Sequence, residues 1–128
     1  MALSRADILG ADDLPKKEVS VPEWGGHVWV RTMTGTERDA FEAALLNGES
    51  KATNLGNIRA RMASMTLCDD VGERLFVAED IEELGAKSAA ALDRVFAVAQ
   101  ELNHFGDKDV EDLAKNLGAA PSGDSGSS

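Results

Sequence analysis

The sequence predicts an α+β fold that is mainly α-helical: an N-terminal β-hairpin packed on a small bundle of four to five helices, followed by a disordered C-terminal tail. Three observations predict it. The stretch KEVSVPEWGGHVWVRTM alternates apolar and polar residues on either side of a Gly-Gly pair, which is hairpin patterning. Beyond it, apolar residues recur at steps of three and four through most of the chain to Leu117. From Pro121 onward only Gly, Ser, Asp and Pro occur, a composition that cannot bury a core. With 128 residues the chain holds one domain. Residues 1–16 form an arm, 17–118 a single helical domain with its hairpin, and 119–128 the disordered tail.

The arm is loosely ordered or forms a short helix around Ser4 to Leu9, ended by Gly10 and Pro15. In the hairpin, Val19 and Val21 share one face, and Val28, Val30 and Thr32 alternate against Trp29, Arg31 and Met33. Gly25-Gly26 supplies the turn. Pro22 cannot donate a ladder bond, so it ends the first strand or places it at an edge. A hairpin alone is marginal and needs a covered face. Both tryptophans lie here: Trp29 is expected to anchor the core, and Trp24, beside the turn, can equally serve as an exposed contact.

Thr34-Gly35-Thr36-Glu37 fits a capping box and opens a helix through Phe41, Ala44 and Leu45 that stops near Asn47-Gly48. NGESKATN reads as a polar loop. A second helix follows from about Asn54, with Leu55, Ile58, Met62 and Met65 in one stripe. A Met stripe suits an adaptable groove, but packed core is the simpler account. DDVGERLFV reads as a tight turn and a short strand, forming a second small hairpin or an extended connection. Asp80 begins a short helix holding Ile81 and Leu84, closed by Gly85. Ser88 caps a long helix with Leu92, Val95, Phe96, Ala99 and Leu102 on one face, ended by Asn103-His104-Phe105-Gly106, where Gly106 can take the left-handed cap. Asp107 caps a last helix carrying Val110, Leu113 and Leu117.

Composition narrows the function. The formal charge is −10, and seven acids against Arg74 alone place −6 of it between Asp69 and Glu83. Such a surface repels phosphate backbones, so no nucleic-acid partner is expected. It is a solvated face or a dock for a basic partner. One cysteine, Cys68, permits no internal disulfide; it agrees with a reducing cytosol and suits a buried apolar position. No run approaches the roughly 18 apolar residues of a membrane span, and Asp7, Asp12 and Asp13 interrupt any secretory signal. An intracellular protein without a membrane partner is expected.

The chain offers little for catalysis. His27 and His104 have no partner at ligand spacing. Asp107 to Asp112 places oxygens like an EF-hand loop, but the sixth position is Asp112 instead of Gly and the twelfth is Gly118 instead of Glu. Gly-rich phosphate loops, nucleophile elbows and Cys pairs are absent from the sequence. A non-enzyme without cofactors is expected.

The order of VRTMTGTERDAFE, then TLCDDVGERLFVAEDIEELGAKSAAALDRVFAVAQELN, then a polar finish with AKN and PSGDS, resembles the tail assembly chaperones of long-tailed, non-contractile bacteriophages. The likeness runs roughly from Val19 to Asn116. It implies a largely helical fold with a small hairpin, and a protein needed to build the tail but absent from the mature virion. It implies binding to the tape measure protein, and recruitment of tail tube protein by a longer form made through ribosomal frameshifting. Lys115-Asn116 is compatible with the slippery codons AAA AAC. The cytoplasm of the infected host is the implied location, and a homo-oligomer along the tape is possible in this scheme. A small structural protein retained in the particle, such as a head-tail connector or tail completion protein, is the alternative. From the residues themselves, the apolar candidates for partner binding are Trp24, Met62, Met65 and Phe105.

Overall fold

The computed structural model describes residues 2–46, 57–105 and 108–109. The arm carries α1 (Arg5–Leu9), which Ser4 and Asp7 cap reciprocally: Asp7 N donates to Ser4 Oγ at 3.1 Å and Ser4 N to Asp7 Oδ2 at 3.0 Å. No residue of α1 is buried.

Two strands follow, β1 (Lys16–Val21) and β2 (Gly26–Arg31), antiparallel from Lys16↔Arg31 to Val21↔Gly26. Their connection is longer than the Gly25-Gly26 turn expected. Pro22 has its φ fixed and starts a 3-10 turn over Pro22–Trp24, and only Gly25 takes a left-handed φ, at 80°; Gly26 already belongs to β2.

The hairpin is part of a three-stranded sheet in the order β1-β2-β3. Strand β3 (Leu67–Cys68) pairs Trp29↔Cys68 and Val30↔Leu67. The strand that joins the sheet therefore precedes DDVGERLFV, and both of its residues are apolar and buried. The Asp69–Gly72 turn then returns the chain. Asp69 Oδ1 accepts from Val71 N and Glu73 N, Gly72 takes φ 93°, and Arg74 bridges back to Cys68.

Helix α2 (Gly35–Leu46) begins with the expected capping box, Glu37 N donating to Thr34 Oγ1 at 3.1 Å and Thr34 N to Glu37 Oε1 at 3.0 Å. Helix α3 (Ile58–Thr66) starts later than Asn54, since Asn57 takes a left-handed φ of 56°. Helix α4 (Ile81–Gly85) is short, and α5 (Ala89–Asn103) is the long apolar-faced helix. Leu55, the NGESKATN loop, the helix expected after Asp107 and the tail lie outside the described residues, apart from Lys108 and Asp109, which are helical.

Helix α5 packs on β1, β2 and α3 and buries Ala91, Leu92, Val95 and Ala99, and α3 also packs on α4. Val19, Val21 and Val30 from the sheet meet Phe41 and Leu45 of α2 and Met62 of α3 in one core. Ser88 Oγ accepts from Ala91 N at 3.2 Å and opens α5. Ser88→Ala is expected to cost about 1 kcal/mol, read as a lower urea midpoint with an unchanged slope.

The C-terminal cap of α5 is His104, at φ 53°, instead of Gly106. This early left-handed residue turns Phe105 into the core, where its ring meets Phe41 edge-on at 5.5 Å. Asn103 Oδ1 accepts from Met33 N at 2.7 Å, and Arg38 donates to Asn103 O at 3.0 Å, tying the end of α5 to the start of α2.

Candidate partner-binding surface

Among the described residues, no three His, Cys, Asp or Glu side chains gather as a metal site would require, and no helix is long and apolar enough to cross a membrane. His27 pairs with Glu18 at 3.0 Å on the sheet surface. Cys68 is buried, and burial raises its thiol pKa against the opposing field of Arg31.

The surface that stands out is apolar. Trp24, Phe76 and Leu84 wall a cleft of about 460 Å³, with Asp80, Glu83 and Lys87 also lining it. Three elements build it. The 3-10 turn presents Trp24 and is clamped to α5 by two Arg94–Glu23 bonds of 2.9 and 3.2 Å. The Arg94 guanidinium, more than any other group, holds the Glu23 carboxyl below its ordinary pKa. The extended chain leaving Arg74 presents Phe76, and Val77 N donates to Asp80 Oδ2 at 2.9 Å, fixing the entry to α4. Leu84 of α4, 5% exposed, forms the floor.

Flanking Phe76 in the chain, Leu75 and Val77 are 52% and 56% exposed, and Val71 in the preceding turn is 76% exposed. The acids of this region are uncompensated. Glu23, Glu37, Glu42, Asp93 and Glu101 each meet a Lys or Arg and Glu18 meets His27, whereas none of the seven acids from Asp69 to Glu83 has an ion-pair partner among the described residues. Arg74, the only base of that segment, turns inward to Ser64 O at 2.9 Å and to Glu37 at 3.4 Å.

A larger open cleft of about 610 Å³ lies between Asp13–Pro15 and the end of α5, but Arg38 and Asn103 in its wall already bond to Glu42, Met33 and Ala99.

The family model of the phage tail assembly chaperone matches residues 11–116, which takes in the sheet, the cleft and α5. The chain belongs to the phage tail assembly chaperone family. Its fold is similar to the solved structure of the bacteriophage HK97 tail assembly chaperone, with a TM-score of 0.56 at 23% identity, over 70% of this chain and 85% of that one. No curated protein matches the chain in sequence.

In this tail assembly chaperone only Trp24, of the four residues singled out from the sequence, reaches the cleft. Met62 is fully buried and Phe105 is 1% exposed, so both are core residues; Met65 is half-buried against that core. Met62→Glu would bury a charge and report on folding instead of binding. Both tryptophans are half-buried, so Trp29 is not the core anchor expected of it. Trp24 packs against the core, while Trp29, of opposite pleat parity to Val28 and Val30, sits half-buried under the Lys16 ammonium at 5.0 Å. Phe76, Leu75 and Val77 were not singled out. Their signal was a run of three apolar residues inside the most acidic part of the chain.

Proposed function

We propose that this chaperone holds the tape measure protein in a soluble form while the tail is built, taking apolar side chains of that protein against the Trp24–Phe76 cleft. The observation that carries the reading is a preformed apolar cleft walled by Trp24 and Phe76, with the exposed Leu75 and Val77 flanking Phe76 in the chain. A protein that shelters another must expose such a surface, yet bind reversibly, and an acidic rim keeps the free form soluble. Many copies along one filamentous partner would add their weak contacts as avidity. Strand β1 lies at the sheet edge and offers one route to self-association between copies. On the same reading a longer frameshifted form recruits tail tube protein, the work is done in the cytoplasm of the infected host, and the chaperone departs before the virion is complete.

Co-expression tests the activity. The wild-type chain is expected to keep tape measure protein in the soluble fraction. Leu75→Ser with Val77→Ser should lose most of that effect while changing the chaperone's own stability by about 0.5 kcal/mol or less. Tape measure protein that precipitates equally with and without the wild-type chain contradicts the reading. Mass spectrometry of purified virions separates departure from retention: stoichiometric amounts of the chain in tails would make it a structural component.

A further inference from the structure

We propose that the Trp24–Phe76 cleft selects an amphipathic helix that puts an apolar side chain into the cleft and a Lys or Arg, one turn away, onto its acidic rim. The proposal rests on the reading that this surface receives another polypeptide, and it names the chemistry that such a segment must carry.

Two features favour a helix led by its side chains. The side of β3 away from β2 is already taken by the Arg74 bridge to Cys68, so β3 offers no free edge to an added strand. The cleft of about 460 Å³ is bounded by Trp24, Phe76 and Leu84, which suits the insertion of large apolar groups.

Charge sets the flanking residue. Asp80 and Glu83 stand one turn apart on the rim, and Glu79 and Glu82 are exposed beside them. Asp80 already accepts from Val77 N, but Glu79, Glu82 and Glu83 have no ionic partner among the described residues. Lys87, just past the end of α4, is the one base in the lining, and it leaves the other end of the rim negative. An acidic partner would meet repulsion there, whereas a basic one is steered in and held in register.

The test uses the full chain in a Trp29→Phe background, so that Trp24 emission alone reports on the cleft. Three synthetic helical peptides without tryptophan serve as probes, with a Leu stripe flanked by Lys, a Leu stripe flanked by Glu, and a Ser stripe flanked by Lys. The Leu/Lys peptide is expected to shift Trp24 emission and to bind at least about tenfold tighter than either other peptide. Its affinity should fall between about 0.01 M and 0.15 M salt, as the screening length shrinks from about 30 Å to about 8 Å. Glu79→Gln, Glu82→Gln and Glu83→Gln together, which spare the capping roles of Asp69 and Asp80, should remove most of the Lys preference and keep the Leu dependence. Equal binding of the Lys and Glu peptides, equal binding of the Ser/Lys peptide, or an unmoved Trp24 emission would overturn the proposal. Any of these could coexist with a tape measure protein that stays soluble on co-expression, which would leave the chaperone reading standing. The converse pair of results would keep the site and remove that partner.

Discussion

Phe105→Ala is expected to lower the free energy of unfolding by about 4 kcal/mol, a large share of the roughly 5 to 15 kcal/mol that holds a domain together. The ring is 1% exposed and reaches the core because His104 takes the left-handed cap one residue earlier. Removing it leaves a cavity against the Phe41 edge at 5.5 Å and takes away the face on which the Arg38 guanidinium rests, 4.6 Å from the ring centroid. The loss should appear as a lower urea midpoint. A residue acting only as a partner contact would behave in the opposite way, losing tape measure binding with stability unchanged. A cost under about 1 kcal/mol would show that the end of α5 is not part of the folded core.

Glu37→Gln is expected to cost about 3 kcal/mol at neutral pH. Glu37 joins three parts of the chain: its carboxylate accepts from Thr34 N at 3.0 Å, from Arg31 Nη2 at 2.9 Å and from Arg74 Nη1 at 3.4 Å. The Arg31 side chain is 5% exposed and its Nε has no acceptor, so a neutral amide at position 37 leaves a buried cation short of its counter-charge. Burial pushes the Glu37 pKa up, but the Arg31 bond and the Thr34 amide outweigh it, and the carboxyl lies below its ordinary value of 4.5. A depressed folded pKa fixes the sign of the pH effect. The contribution is complete above 4.5 and disappears as pH falls through the folded value. The gap in stability between wild type and Glu37→Gln should therefore be widest near neutrality and close in acid. A gap independent of pH would mean that the charge on Glu37 contributes nothing.

Local chemistry made much of this fold legible. The alternation around VPEWGG gave the hairpin, and the hydroxyl-x-x-acid spacing at Thr34–Glu37 gave the start of α2, because both depend on neighbours within a few residues. Ser88 announced α5 in the same way. What stayed hidden depends on distant partners. Strand β3 is two residues long and exists through pairing with Trp29 and Val30, nearly forty positions earlier, so no period could announce it. Parity marked the inner face of β1, but in β2 Arg31 is buried next to Val30, and the position of Trp24 depends on the 3-10 turn that Pro22 starts and Arg94 clamps. Closure of α5 at His104 put a non-glycine residue where glycine was expected, and that one step changed Phe105 from an apparent surface contact to core. Of the candidate surface, only Trp24 was visible in advance. Phe76 joins it across some fifty residues, and their contact with Leu84 is a product of packing alone.

The central claim is that the tape measure protein lies against the Trp24–Phe76 cleft and the exposed Leu75 and Val77 that flank Phe76 in the chain. Site-specific photo-crosslinking during co-expression addresses it most directly, with the reactive group placed in turn at Leu75, at Val77 and at the exposed Asp39 on α2. The expected result is a covalent adduct with tape measure protein from positions 75 and 77 and none from 39. Adducts from 39 without any from 75 or 77 would place the tape measure protein on another face and contradict the account.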